Sequence, residues 1–492
     1  MQEPLILALD IGTSSIRAAL YDADGNVVPS TMVKNERKLD STEDGGAEID
    51  ADKAFRQVVA AIDVVVEKAK GIDGVITHAA ASSFWHSLMG VDADGKPTTK
   101  VFGWADTRSR KYVAKLRTMF DEGDVHNRTG ARFHPSFWPA KLMWLRKEHP
   151  EVFKRTAKWI SFSDYVAMKL STNAQPVTSV SMASATGIFD IRKCDWDEEL
   201  LKRLGIGRTK LPEIAASNTA GFGLNSRFKR RWQKLAQTQF YPAIGDGAAN
   251  NIGAGCVKKT RAALMVGTSG AMRVAYKGEP PATIPPGLWC YRIDRERVII
   301  GGALSDGGGL YQWLKDNLQL DTAVETEIAN RSPDGHGLTF LPFLAGERST
   351  GYHEYATGGI LGLKSSTDAT DIVHAALESV AYRFAVIFGQ LSSVAKIREI
   401  TASGGALRES PVWTQILADV LGRELSLPDT HEASSRGAVL LALESIGRID
   451  NIENEKPPSG TSFVPDRSKQ TVYRTARRRH QQFYDLILKA NQ

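Results

Sequence analysis

"LALDIGTSSIRAALYD", residues 7–22, and "AALMVGTSGAMRVAY", residues 262–276, carry one signal twice. Each is a short apolar run, a Gly-Thr-Ser turn and a resumed apolar pattern, which reads as strand, tight turn, strand. Gly12 and Gly267 lie 255 residues apart (267 − 12). One position separates the copies: Asp10 in the first stands where Met265 stands in the second. Small residues in a tight turn let backbone N–H groups converge on an anion. The hydroxyls of Thr13, Ser14, Thr268 and Ser269 add donors. Two such turns facing each other would grip a polyphosphate from both sides of a cleft. That arrangement needs a single metal-attracting carboxylate, Asp10, beside a magnesium ion or its waters; Met265 then reads as plain strand. Two ordinary hairpins are the reading that the turns alone leave open.

Working outward, the first 30 residues read as a hairpin with an Asp-Gly turn at Asp24 and Gly25. A helix is predicted from Asp52 to Lys70, because Phe55, Val58, Val59, Ile62 and Val65 recur at helical spacing before Gly71. "GVITHAAASSFWHSLMGVDADGKPT" reads as strand, small-residue loop and a second hairpin turning at Asp94 and Gly95. "FWPAKLMWLRKEHPEVFKRT" reads as helical after Pro139. The second half repeats the programme: a Gly-rich turn in "YPAIGDGAANNIGAG", the second hairpin, a long buried helix in "DIVHAALESVAYRFAVIFGQL", then strand, Gly-Gly turn and helix in "REITASGGALRESPVWTQILADVLG". Strands alternating with helices in both halves predict an α/β protein. The boundary is placed at 243, giving domains 1–243 and 244–458, followed by a helical extension, 459–492. There is no GxGxxG and no GxxxxGK[ST], so neither a Rossmann nor a Walker nucleotide site is encoded.

Composition narrows the partners. Of 492 residues, 42% are hydrophobic and 24% charged, and the net charge is +6. That is ordinary for a globular chain and suits a phosphate-bearing small molecule. Basic and acidic residues are interspersed, so nucleic acid is not expected as a partner. The exception, "TARRRHQQFYDLILKA", reads as an amphipathic terminal helix with a solvated basic face. Cys194, Cys256 and Cys290 form no CxxC and no ligand cluster, which fits a reducing cytoplasm. No apolar stretch reaches the length of a membrane span by this reading, so no membrane partner is expected. The oligomeric state is left open, a homodimer included.

Two further motifs carry chemistry. Asp246 sits between glycines in "GDGAANNIGAG" at an apparent strand end, open to close ligand approach. An aspartate there can accept a hydroxyl proton in phosphoryl transfer; a plain Asp-Gly turn or a helix N-cap is the alternative. Gly404, Gly405 and Ala406 offer a flat surface to a purine or ribose, or form a simple strand-to-helix turn.

Taken in order, these pieces resemble the FGGY carbohydrate kinases of the actin-like ATPase fold. "DIGTSSIRAALYD" and "VGTSGAM" resemble the family's two phosphate motifs, "GDGAANNIGAG" its catalytic-aspartate motif, "FLPFLAGERSTGYHEYATGGILGL" its signature, and "SGGALRESPVWTQILADVLGREL" its adenosine motif. The resemblance implies two ribonuclease-H-like domains, each around a mixed five-stranded sheet, with ATP and Mg2+ in the cleft and Asp246 as general base. The N-terminal half is most similar to bacterial gluconokinases. Family position nominates Trp85, His86, Trp104, Asp106, Arg108 and Phe137 for the sugar pocket, with Arg108 or Arg132 as partner for a sugar acid's carboxylate. D-gluconate is the expected substrate, a pentulose such as xylulose the alternative, and a non-kinase actin-like ATPase the reading of another class.

Overall fold

The computed structural model describes residues 3–173, 175–215, 221–429 and 432–490. The opening stretch folds as strands β1 (Pro4–Ile11) and β2 (Ser15–Tyr21), paired antiparallel, with β3 (Val33–Glu36) beyond β2. Every residue of β1 is buried, as expected of a central strand covered on both faces. Its alternation sorts the two faces. Leu5, Leu7, Leu9 and Ile11 pack with Phe55, Val58 and Ile62 of helix α1 (Ala51–Lys68). Ile6 and Ala8 pack on the opposite side. Asp50 caps α1 by accepting from the Lys53 amide. Strand β4 (Val75–Ser83) joins β1 in parallel, and β5 (Gln239–Phe240) and β6 (Ile244–Gly245) both join β4. The first sheet therefore runs β5-β4-β1-β2-β3.

Helix α2 (Asp246–Gly253) follows, and the second sheet then repeats the plan. Strands β7 (Arg261–Val266) and β8 (Gly270–Lys277) form the second hairpin. Strands β9 (Trp289–Arg292) and β10 (Arg297–Leu304) extend it, and helix α3 (Gly308–Asn317) leaves the end of β10. The long core helix α4 (Ala369–Ser392) leads to β11 (Glu399–Ser403), helix α5 (Gly405–Glu409), β12 (Leu425–Pro428), helix α6 (Ala433–Ser445) and β13 (Gly460–Phe463). The order is β9-β10-β8-β7-β11-β12-β13. Its inner five strands match the first sheet in order and direction. The expected five-stranded unit is thus present twice, and the second copy gains a strand at each edge.

Four sequence expectations meet the structure here. Strand β6 still pairs with β4, so the first sheet runs two residues past 243. Helix α6 also crosses the division: Ala438, Val439, Leu440 and Ala442 pack with Ile6, Ala8 and Ala80 of the first sheet. The two helices between the sheets touch closely because glycines face carbonyls: a Cβ on Gly253 would lie 1.9 Å from the Ala433 oxygen, and one on Gly437 1.8 Å from that of Ala249. The extension from 459 begins as the edge strand β13 and becomes helix α7 (Gln470–Ala490); residues 491–492 lie outside the described residues. The basic face of α7 is only partly solvated, since Arg479 pairs with Asp334 while Tyr473, Ala476, His480 and Tyr484 are buried. Finally, α4 is long and apolar enough to cross a membrane, contrary to the sequence reading. Its apolar window is 78% buried inside the protein, where it forms the core under the second sheet.

Candidate active site

Both Gly-Thr-Ser turns close on themselves at the end of a central strand. The Gly12 amide donates to the Ser15 carbonyl at 2.9 Å, and the Gly267 amide to the Ser269 carbonyl at 2.9 Å. Register makes the first loop one residue longer: Ile11 pairs with Ile16, whereas Val266 pairs with Gly270. Arg37 braces the first turn, donating to the Gly12 and Thr13 carbonyls, and its burial lowers its pKa to about 10. The second turn is braced through the backbone. The amides of Gly307, Gly308 and Gly309 donate to the carbonyls of Thr268, Gly267 and Thr268 at 3.0, 2.7 and 2.9 Å. A Cβ on Gly307 would lie 2.8 Å from the Ser269 backbone. Gly404 has φ +106, and a Cβ there would meet the Val266 oxygen at 2.1 Å, so only glycine fits.

The turns open onto one cleft of about 490 Å3. Gly12, Thr13 and Ser14 line it from the first sheet, and Gly267 and Thr268 from the second. Ser403, Gly404, Gly405 and Arg408 complete its far wall. Two nominated residues fall outside it. Ser269 turns into an adjoining chamber, and Ala406 packs in α5 with its methyl toward Gly308.

Asp246 opens helix α2 at the junction of cleft and chamber. Its carboxylate accepts from its neighbour's amide, Gly247, at 2.8 Å and faces the Trp85 amide at 3.4 Å. Burial raises its pKa above the ordinary carboxylate value, and the Arg273 guanidinium opposes that shift. The flanking glycines are required by Trp85: a Cβ on Gly245 would fall 1.7 Å from the indole nitrogen, and one on Gly247 2.4 Å from the indole ring. Asp10 also faces the cleft. It accepts from Ser82 Oγ at 2.5 Å and pairs with Arg17 at 3.1 Å. Asp10 lies near enough to Asp246 to raise its pKa, so two carboxylates look into one polar space. Hard oxygen donors of this kind, with phosphate oxygens and water, suit Mg2+.

The chamber, about 80 Å3, is walled by aromatic rings. Trp289 and Tyr291 stack at 4.4 Å, Trp85 meets Tyr291 edge-on at 5.3 Å, and Trp104 lies under the Arg348 guanidinium at 5.3 Å. His86 Nδ1 donates to the Ala185 carbonyl at 2.7 Å, leaving Nε2 toward Arg348 at 3.4 Å. Burial and then Arg348 hold the ring well below its usual pKa, hence neutral.

The structure places several nominated residues away from the chamber. Arg108 does not reach the chamber: it is spent on Asp106 and on Glu48 at 2.7 Å, sandwiched by Phe102 and Trp144. Asp106, buried, accepts from Arg108 and from the Ala47 amide. Arg132 is paired with Glu122 at 2.6 Å. Phe137 is buried behind His86, the rings 5.0 Å apart, and supports it from outside the chamber. Met265 is more than plain strand, because it lines both cavities. Sequence reasoning missed Arg273, Trp289, Tyr291 and Arg348. Period-two alternation was a usable signal, since Ala271 and Arg273 on β8, and Trp289 and Tyr291 on β9, face the chamber in pairs. A separate groove of about 640 Å3 lies at Lys158 and Arg208, which are engaged by the Leu211 carbonyl and by Asp195.

A duplicated ribonuclease-H-like fold, with two phosphate-type turns and a half-buried aspartate at the mouth of an aromatic chamber, defines a phosphotransferase that acts on an alcohol. The comparisons agree. The N-terminal domain of the FGGY family of carbohydrate kinases matches residues 5–253 and its C-terminal domain residues 262–446. A gluconokinase of Bacillus licheniformis is 31% identical over 464 residues, covering 91% of this chain and 89% of that one. A gluconate kinase from Lactobacillus acidophilus superposes with a TM-score of 0.90 at 26% identity, covering 99% and 98%. A ligand-bound xylulose kinase from the same organism gives the same values. The chain belongs to the FGGY family of carbohydrate kinases. It is a sugar kinase, and kinases of this family take their phosphoryl group from ATP.

Proposed function

We propose that this enzyme transfers the γ-phosphoryl group of ATP to D-gluconate, giving 6-phospho-D-gluconate. The observation that carries the substrate is Arg348. It is a guanidinium in the aromatic chamber that makes no ion pair with any carboxylate among the described residues. The Asp246 carboxylate acts on it from beyond ion-pair distance, and a cation shielded from water with no close partner is costly. A sugar acid supplies the missing charge, in the bidentate form a guanidinium prefers. A neutral sugar does not. The relatives named gluconokinase and gluconate kinase point the same way.

In this reading the substrate's carboxylate lies toward Arg348 and its terminal hydroxyl toward Asp246. Asp246 accepts the hydroxyl proton. Arg273 lines both cavities, so it faces the phosphoryl group in transit and opposes the rise in the Asp246 pKa that burial causes. Neutral His86 accepts from Arg348 through Nε2 and so steadies the guanidinium in the chamber. Thr13, Ser14 and Thr268 hold the polyphosphate between the turns, and Gly404 and Gly405 lie under the adenosine. Asp10 and Asp246 are the carboxylates that would hold Mg2+ through its waters; the ion supplies charge neutralisation to the phosphates. Closing the two sheets on each other excludes water, so the sugar receives the phosphoryl group.

The xylulose kinase of equal similarity favours a second reading, a pentulose kinase. Coupled ADP release with gluconate, xylulose, ribulose and glycerol decides between them. Gluconate should give the highest kcat/KM. Arg348→Met should cost gluconate roughly 2–5 kcal/mol and neutral sugars far less. Preference for xylulose, with Arg348→Met indifferent to charge, makes the enzyme a pentulose kinase.

A further inference from the structure

Arg348 does not stand on a strand or helix of either sheet; its aim depends on what fixes the loop around it. The neighbour on that loop, Glu347, is completely enclosed, at 1% exposure. Two other elements hold its carboxylate. Arg383 of α4 donates to Oε1, and the Tyr484 hydroxyl of α7 lies 2.9 and 2.7 Å from the two oxygens. The Gly351 amide donates to Oε1 at 3.2 Å, folding the loop back on the same group. Arg383 stacks over the Tyr484 ring at 4.4 Å, so the three side chains form one buried unit. The loop's other face is pinned to β10, where the Ser349 amide donates to Ala303 and the Ala303 amide to Ser349 Oγ. Ala303 itself lines the chamber.

Helix α7 is independently anchored. Arg479 pairs with Asp334, and His480 packs edge-on against Tyr382 at 5.7 Å. Tyr382 in turn donates to Glu378, whose carboxylate is satisfied by His336, His374, Tyr382 and the Asp334 amide. Those four donors hold the Glu378 carboxylate, and the buried cluster serves as the footing of the helix.

We propose that the C-terminal helix is part of the substrate-recognition apparatus: Tyr484 and Arg383, by holding Glu347, aim Arg348 at the substrate's carboxylate. This rests on the carboxylate role of Arg348 given above. Tyr484 is a positioning residue, remote from the reacting atoms, and its effect passes through Arg348. Removing its hydroxyl leaves Glu347 with one donor fewer in a closed site, which frees the loop to shift. The consequence falls on recognition of the negative charge, with the proton transfer at Asp246 untouched.

The test compares gluconate with gluconamide, its uncharged isostere, by coupled ADP release on the full chain. Tyr484→Phe should raise the KM for gluconate about 10-fold, the size expected for a hydrogen bond to a charged group. The KM for gluconamide should stay within about twofold. In an Arg348→Met background, Tyr484→Phe should add less than about twofold, because coupled residues are not additive. Glu347→Gln, which keeps the shape and removes the charge, should reproduce the loss of charge selectivity. Thermal unfolding of each variant separates misfolding from misaiming. The strut role is overturned if Tyr484→Phe changes both substrates equally, or if its effect and that of Arg348→Met multiply. It is also overturned if charge selectivity survives both Tyr484→Phe and Glu347→Gln. If Arg348→Met alone harms both substrates equally, the carboxylate reading fails first, and the strut role falls with it.

Discussion

The first and second Gly-Thr-Ser turns occupy the same place in two matching sheets, yet they are built from different parts. In the first, Asp10 pairs in register with Arg17 on one side and Ser82 on the other, and bonds both. In the second, Met265 pairs with Ala271 and Ser403. The serine is retained, but the acid and the arginine are gone, and Ser403 Oγ is buried without a hydrogen-bond partner among the described residues. The bracing differs as well: a half-buried arginine, Arg37, holds the first turn and three glycine amides hold the second. At the turns themselves the charged pair, Asp10 with Arg17, lies on the first side, whereas the second turn supplies shape and backbone donors. One polyphosphate with its metal needs a single charged wall, and a second acid at position 265 would add repulsion.

The comparison can be broken in a definite order. Asp246 stands where the two halves meet, so it should dominate. Asp246→Asn should lower turnover by roughly 10²–10⁴ while ATP affinity changes little; near-normal turnover in a folded variant would remove it as the base. Next comes the charged wall. Asp10→Ala should cost about 10–100-fold at limiting Mg2+ and recover in part as Mg2+ is raised; a loss independent of Mg2+ would tie Asp10 to Arg17 and structure instead.

Arg273 should act through pH. Asp246 must be ionised to accept a proton, so kcat/KM should fall as pH drops through its raised pKa. The Arg273 charge lowers that pKa. Arg273→Met should therefore move the acid limb of the pH profile upward. A limb that stays in place would show that the two groups are not coupled. The smallest effects belong to the turns. Thr13→Ala and Thr268→Ala should each weaken ATP binding by about 0.5–1.5 kcal/mol in calorimetry. If neither does, the two-sided grip is wrong even though both turns line the cleft.

Arg108 and Arg348 show where sequence reading stops. Both are arginines in family-like segments close to aromatic residues. Nearness along the chain favoured Arg108, which stands beside Trp104 and Asp106. The fold closes Arg108 into its own ion pairs with Asp106 and Glu48 and brings Arg348, 244 residues after Trp104 (348 − 104), over the Trp104 ring. A guanidinium 60 residues from its partner Glu48 gives no local sign of being spent.

The sequence by itself determined the duplicated strand-turn-strand, the α/β class and the family. These rest on local chemistry: apolar periodicity makes buried strands, and Gly-Thr-Ser makes tight turns, whatever lies beyond them. It also singled out Asp246, because glycines on both sides of an acid mark a crowded backbone. Only the tertiary structure decided that Trp85 does the crowding, that α6 returns to the first sheet, and that the second sheet has seven strands. It alone showed which arginines remain without a carboxylate. Whether a charge is spent or available depends on groups far apart in the chain that meet only when both sheets and the C-terminal helix are in place.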